Sequence, residues 1–270
     1  MVQEIRASKN ILYTTIQIDD GQSSATAFFY HSKIRWGTED VTYTPLLVTN
    51  KHVIEGSVEI KLTFHLGLEL NFKPSGGTFE FLLENPEQQF LSHPNPEIDL
   101  CTMNISGILS EIKAKTGKDV YPDGLWNKTN NPPIAWKGIT ASDPRFDYNG
   151  EPKGLVDIAS FEGSSGSPII LIKDLGYTTF NDDRKAFFLL GVLEALEPID
   201  LIGYVYQIDS KRKEEPARQI PDLFVSTNIM MHIGKYIRSR VLLDLEPLFY
   251  SALIMRRHAV TPLLFSDTIP

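Results

Sequence analysis

Three short segments carry residue types able to open an acyl bond: Thr49-Asn50-Lys51-His52-Val53, Glu97-Ile98-Asp99-Leu100-Cys101 and Gly163-Ser164-Ser165-Gly166-Ser167-Pro168. His52 and Asp99 are 47 positions apart (99 minus 52), and Asp99 and Ser165 are 66 apart (165 minus 99). A neutral hydroxyl attacks a carbonyl only if a base takes its proton, a carboxylate fixes the base's tautomer, and donors face the developing oxyanion. His52 is a candidate for the base, Asp99 for the carboxylate and Ser165 for the hydroxyl. The glycines flanking Ser165 permit a sharp turn in which the backbone N–H groups of Gly163 and Ser165 point at one spot, as an oxyanion hole requires.

Taken singly, each segment has a plainer reading. Gly163 to Pro168 could be a flexible Gly/Ser turn. His52, after the apolar run Leu46-Leu47-Val48, could be a structural histidine closing a buried strand. Asp99 could be an exposed aspartate at a strand end; if it is buried between Ile98 and Leu100 it needs a polar partner, because an unpaired buried carboxylate is costly. His31, His65, His93, His232 and His258 sit in no comparable context and are assigned structural roles. The Gly163 segment lacks the Gly-Lys-Ser/Thr ending of a phosphate loop, which argues against a nucleotide site.

The elements that must position these residues read as strands. Runs rich in β-branched and aromatic residues recur at 11–18, 26–31, 46–50, 58–64 and 79–83, and again at 154–160, 167–172, 186–195 and 223–237. Asp20-Gly21, Gly76-Gly77 and Pro94-Asn95-Pro96 read as turns between them. One short helix is expected over Ile108 to Lys115, with Ile108, Leu109 and Ile112 on one face. The join between two halves is placed at about residues 115–135, in a stretch dense in Pro, Asn and Gly. A C-terminal helix is expected from Ser239 as N-cap, with Leu242, Leu243 and Leu245 apolar and Pro247 cutting it short. The segment from Leu196 to Pro221, with its charged run Lys211 to Glu215, reads as a solvated surface loop.

Composition sets the outer bounds. With 270 residues, 42% hydrophobic and 22% charged, the chain reads as an ordinary globular protein of one large or two small domains. A net charge of -8 disfavours nucleic acid and anionic membranes as partners. The single cysteine, Cys101, precludes an intrachain disulfide and suggests a reducing compartment. No apolar run matches a secretory signal or the roughly 18 residues of a membrane span, so a cytoplasmic location is expected.

In order, the segments resemble those of the trypsin-like, chymotrypsin-fold serine peptidases, and most closely the bacterial HtrA-type branch. Thr-Asn-Lys-His-Val resembles that branch's T-N-x-H-V, Ile98-Asp99-Leu100-Cys101 its D-[LI]-A, and Gly163 to Pro168 its G-N-S-G-G-P. Ile233 to Ser239 resembles I-G-F-A-I-P-S, and Ala25 to Phe29 stands where the family has a G-[ST]-G-F-F-like run. The likeness spans roughly residues 11–245. It implies an all-β fold of two packed six-stranded antiparallel β-barrels with a C-terminal helix. The first, residues 1–120, would carry His52 and Asp99; the second, residues 121–270, would carry Ser165, the helix and the tail.

The resemblance further implies Ser165 as nucleophile, His52 as general acid and base, Asp99 as its orienter, and the Gly163 and Ser165 amides as the oxyanion hole. It places the S1 floor near Ala159 and Ser160, with walls from Glu194, Ala195 and Gly234. A neutral floor favours an uncharged side chain at the cleavage position, whereas a two-residue slip would substitute Asp157 and favour Lys or Arg. No metal or cofactor is expected. The partners expected are a protein or peptide substrate and a regulatory protein.

Three departures stand out. Ser164 occupies the position where zymogen-activated relatives carry an aspartate, so maturation by that ion pair is not available. Ala25 and Ala27 replace the two family glycines. After Arg238 only 32 residues follow (270 minus 238), too few for the PDZ domain of HtrA proteins. The competing functions are a catalytically silent protease fold used as a binding module and an esterase. The latter is disfavoured because α/β-hydrolases order their triad Ser, acid, His.

Overall fold

The computed structural model describes residues 14–36, 40–68, 73–120, 137–159, 163–177, 183–207 and 218–248. The chain is mostly strand, and every strand pairing is antiparallel. The first sheet is built from β1 (Thr15–Asp19), β2 (Ser24–Trp36), β3 (Asp40–Thr49), β4 (Glu59–Leu68), β5 (Lys73–Glu84), β6 (Leu91–Ser92) and β7 (Cys101–Asn104). Its order is β5-β4-β1-β2-β3-β7-β6. The second contains β8 (Ile139–Thr140), β9 (Lys153–Asp157), β10 (Pro168–Tyr177), β11 (Asp183–Gln207) and β12 (Arg218–Arg238), in the order β10-β11-β12-β9-β8. The all-β expectation holds, with seven and five strands among the described residues.

Alternation explains why these runs became strands. Ile16 and Ile18 of β1 are buried while Gln17 between them is exposed. At the β1–β2 turn Gly21 takes φ +84, and the side chains of Asp19 and Asp20 accept the Gly21 and Gln22 amides at 2.8 Å each. The amides of Ser23 and Gln22, both donating to Asp20, hold its carboxyl below its usual value. In β3, Leu47 enters one core with Ile18, Leu62 and Phe64. Leu46 and Val48 enter another with Leu100, Val192, Ile237 and Leu242. This second core contains residues from both sheets and from the segment after β12, so burial of apolar surface fixes the surroundings of the β3 end.

The short helix forms where expected, as α1 (Ser106–Thr116), capped at its end by left-handed Gly117 and anchored by buried Ile112. Asn104 receives the Ser106 amide on Oδ1 at 2.9 Å. Residues 11–13 of the first expected strand and most of the expected join, 121–135, lie outside the described residues, as does His258.

Three sequence expectations are corrected. Gly76-Gly77 is not a hairpin turn: it lies inside β5, where the pairing with β4 shifts between His65 and Gly67. The glycines mark a strand irregularity instead. Leu196 to Pro221 is not all loop. β11 runs on to Gln207 and pairs with β12 as far as Arg218, forming a two-stranded arm; residues 208–217 lie outside the described residues. Prolines and charges there favour a loop, but Tyr204 and Tyr206 are strand formers that pair with Phe224 and Gln219 across the hairpin. Finally, Ser239–Leu245 is a 3-10 helix with Arg238, not Ser239, as its flanking cap residue, and without a side-chain capping bond. Its three-residue repeat buries Leu242 and Leu245 with Val241 and leaves Leu243 exposed, and the chain stays helical through Leu248 across Pro247.

Candidate active site

His52 sits in a single 3-10 turn, Lys51–Val53, directly after β3. Each residue of the approach is pinned. Thr49 donates its hydroxyl to the Thr26 carbonyl at 2.8 Å, and the buried Asn50 donates Nδ2 to the Asp99 carbonyl at 2.8 Å. Lys51 Nζ reaches the carbonyls of Asn95 and Pro96 at 3.3 and 3.4 Å, tying the turn to the Pro94-Asn95-Pro96 loop that presents Asp99. Ile54 and Glu55 close the turn with amides on the Lys51 carbonyl.

Asp99 lies between buried Ile98 and Leu100, and its carboxylate meets His52 twice. Oδ1 accepts the His52 amide at 3.1 Å, and Oδ2 lies 2.5 Å from ring Nδ1. A carboxylate that close to Nδ1 selects the Nδ1-protonated tautomer and leaves Nε2 able to accept a proton. The hydrogen bond to Asp99 raises the His52 pKa above its ordinary value against the opposing pull of burial, and the charges of Asp99, Glu194 and Glu55 add to it. Burial works to raise the Asp99 carboxyl, but its bonds from the His52 ring and amide outweigh that, and its pKa ends below the ordinary value. The His52 side chain keeps 46% of its surface exposed, so the ring is open to a reactant.

Ser165 stands in a loop shaped by two left-handed glycines, Gly163 at φ +93 and Gly166 at φ +83. Four bonds hold that loop. The Thr26 amide donates to the Ser165 carbonyl at 2.9 Å and the Thr26 hydroxyl to the Gly163 carbonyl at 2.9 Å. The Gly166 amide donates to the Leu193 carbonyl at 2.9 Å, and the Leu193 amide returns a bond to the Ser167 carbonyl at 2.8 Å. A Cβ on Gly166 would strike the Thr26 carbonyl and crowd the Thr49 hydroxyl, so only glycine fits. Thr26 therefore contacts both the His52 strand and the Ser165 loop. The Ser165 hydroxyl itself rests on the Glu194 carbonyl at 3.3 Å, its one hydrogen bond among the described residues. The amides of Gly163 and Ser165 have no acceptor among the described residues.

Of the residues assigned to S1, Glu194, Ala195 and Gly234 come together on β11 and β12. Leu193 pairs with Tyr236, Ala195 with Lys235 and Leu196 with Gly234, so Glu194 is the extra residue of a bulge. Gly234 is buried, and a Cβ there would meet Leu193 Cδ1 at 2.9 Å, Val156 Cγ1 at 3.1 Å and Ile158 Cγ2 at 3.5 Å. Ala159 is exposed just past β9, and Asp157 is exposed at its end; Ser160 lies outside the described residues.

Glu194 is held by a residue that sequence reasoning missed. Lys153 Nζ reaches Glu194 Oε1 at 3.1 Å and Glu151 Oε2 at 3.0 Å, and the Lys153 and Glu194 side chains are each 13% exposed. Burial works to lower the Lys153 pKa, but the bonds to Glu151 and Glu194 outweigh it and raise it. Lys153 stands in none of the segments that resemble the family, and nothing adjacent to it in sequence betrays a role. Only for Thr26, inside the Ala25 to Phe29 run, and for Asn50, beside His52, did position offer a signal.

Cys101 is buried, and burial pushes its thiol well above the usual value, so it is no nucleophile. Among the described residues no three His, Cys, Asp or Glu side chains form a metal-binding group, and no helix is long and apolar enough to cross a membrane. Comparison of the chain with protein-family models, curated proteins and solved structures finds no match.

Proposed function

We propose that this chain is a serine endopeptidase of the trypsin-like class, hydrolysing peptide bonds through an acyl-enzyme intermediate on Ser165. The observation that carries the reading is the Asp99 carboxylate 2.5 Å from His52 Nδ1, with Thr26 joining the strand that leads to His52 and the loop that bears Ser165. On this reading the two sheets correspond to the two barrels of that class.

The reaction begins with the Ser165 hydroxyl leaving the Glu194 carbonyl and turning to His52 Nε2. His52 takes its proton as Oγ attacks the peptide carbonyl carbon, and the resulting oxyanion is met by the Gly163 and Ser165 amides. Asp99 stabilises the imidazolium. Collapse expels the amine, which takes the proton from His52 and leaves an ester on Ser165. Water, deprotonated by His52, attacks that ester, and Ser165 departs with the proton.

A second reading, a silent protease fold used as a binding module, is favoured by one feature: the Ser165 hydroxyl rests on a main-chain carbonyl. A fluorophosphonate probe separates the two. Labelling of wild type at Ser165, absent in Ser165→Ala, supports the peptidase. Folded wild type that never labels supports the binding module.

A further inference from the structure

Residues 93–100 connect β6 to β7, where Leu91 pairs with Thr102 and Ser92 with Cys101, and Asp99 stands near the end of that connection. Pro94 to Glu97 are all exposed, so the loop is held by hydrogen bonds and by its buried ends rather than by apolar burial along its length. The buried end on the β6 side is a histidine. His93 donates its amide to the Leu100 carbonyl at 2.8 Å, closing the loop one residue beyond Asp99, and its ring Nδ1 accepts the Asn95 amide at 3.1 Å. Asn95 in turn ties the loop together: its carbonyl receives the Ile98 amide at 3.2 Å and Lys51 Nζ at 3.3 Å, and its side-chain oxygen receives the Glu97 amide at 3.0 Å.

A backbone amide can only donate, so Nδ1 is the unprotonated nitrogen and the neutral His93 ring carries its proton on Nε2. Nε2 is shielded from solvent and has no hydrogen-bond partner among the described residues; it lies 3.5 Å from Asp244 Oδ2, an ion-pair distance longer than a good hydrogen bond. Asp244 belongs to the 3-10 helix Ser239–Leu245, whose Val241, Leu242 and Leu245 share a core with Ile98 and Leu100, the two neighbours of Asp99. That helix therefore meets the loop twice, through apolar side chains on either side of Asp99 and through Asp244 at His93.

We propose that His93 is a positioning residue for Asp99, its Nε2-protonated ring taking the Asn95 amide on Nδ1 and facing Asp244 of the C-terminal 3-10 helix, so that the β6–β7 loop holds the Asp99 carboxylate against His52. A ring nitrogen offered to the amide two residues on replaces the side-chain oxygen of an Asx turn, which identifies asparagine as the substitution that should rescue the role. Only the consequence for rate rests on the peptidase reading; the effect on Asp99 and His52 does not.

Proton–nitrogen correlation NMR of the imidazoles in the full chain at alkaline pH reads the His93 tautomer directly. The expected pattern has Nε2 protonated and Nδ1 bare, and a ring protonated at Nδ1 overturns the proposal. The second measurement is the His52 titration midpoint in about 0.5 M salt, where exposed charges are screened. His93→Phe keeps a buried ring and leaves the Asn95 amide without its acceptor; it should lower the midpoint by about half a pH unit, roughly threefold in proton affinity, as the Asp99 bond loosens. His93→Asn restores an acceptor near the position of Nδ1 and should return the midpoint to the wild-type value, although both variants lose stability. Asp244→Ala should lower the midpoint by less than His93→Phe, and Asp244→Asn, which keeps an acceptor, should not lower it. A midpoint that His93→Phe leaves unchanged, or that His93→Asn lowers as far, assigns His93 to the fold alone and overturns the proposal. If His93→Phe does not fold, the wild-type tautomer and the Asp244 variants decide, and a wild-type midpoint in Asp244→Ala counts against it. Fluorophosphonate labelling of Ser165, followed in parallel, reports on the peptidase reading separately: its absence in wild type rejects that reading and leaves the tautomer and the midpoint to decide this one.

Discussion

The Thr26 amide donates to the Ser165 carbonyl at 2.9 Å, joining a strand of the first sheet to the loop at the start of β10 in the second. The same residue's hydroxyl holds Gly163, 137 positions away, and its carbonyl receives Thr49, three residues before His52. One threonine thus ties the strand that leads to His52 to the loop that bears Ser165. Thr26→Val keeps the amide bond and removes the hydroxyl bond. Stability should fall by about 1 kcal/mol, and peptide hydrolysis by roughly tenfold from misplacement of the loop. Urea unfolding and kcat/KM measured on one preparation check both; a variant with wild-type kcat/KM would show that Thr26 does not position the loop.

Gly166→Ala should be far worse than Gly21→Ala, although both glycines have positive φ, +83 and +84. At Gly21 nothing lies within 4 Å of an added Cβ, leaving only the left-handed backbone penalty of about 1 kcal/mol. At Gly166 the new atom also collides with main chain, and the combined loss should reach about 3 kcal/mol with loss of Ser165 labelling. Denaturation midpoints of the two variants decide the matter, and equal losses would contradict the packing described for Gly166.

The Asp99 contact has two consequences with pH. Because the bond to Asp99 raises the His52 pKa, the acid limb of kcat/KM should have its midpoint above 6.5. The sign for stability is opposite for the two partners. A raised histidine stabilises the fold at pH below its unfolded value, and that contribution is lost as pH rises through the folded value. A depressed Asp99 stabilises above its own unfolded value and loses that contribution as pH falls through the folded one. Asp99→Asn should lower the His52 midpoint and reduce turnover on the order of ten-thousandfold at neutral pH, by favouring the wrong tautomer. A near-wild-type pH profile in that variant removes Asp99 from the mechanism.

Asn50 carries a more local expectation. It is fully buried and bonds the Asp99 carbonyl, so Asn50→Ala should cost about 1 to 3 kcal/mol and loosen Asp99 against His52. Thermal unfolding and the His52 titration midpoint report the two effects; a His52 midpoint identical to wild type would assign Asn50 to the fold alone.

Much of this architecture was legible because it is local. The β1 alternation, the Asp20-Gly21 turn and the helix over Ile112 each follow from a few adjacent residues. The segments holding His52, Asp99 and Ser165 could be picked out because side-chain chemistry and glycine placement coincide within each. What stayed hidden depends on pairing across long separations. Thr26 gains its role only when β2 lies beside the Ser165 loop, and Lys153 only when β9 and β11 flank β12. The arm beyond Leu196 was read as a loop because prolines and charges outweighed Tyr204 to Tyr206 until the opposite strand was in place. At the last helix Ser239 is of a residue type common at caps, yet it is the first helical residue and Arg238 flanks it, with no side-chain capping bond to mark the start.

On the peptidase reading, Ser165 is a nucleophile activated by His52. Reaction of the full chain with a fluorophosphonate probe at pH 8, with the adduct located by peptide mass spectrometry, tests it most directly. The account predicts an adduct on Ser165 in wild type, none in Ser165→Ala, and labelling slowed on the order of a thousandfold or more in His52→Ala. An adduct on Ser164 or Ser167 instead, or labelling of Ser165 at the same rate without His52, would contradict it.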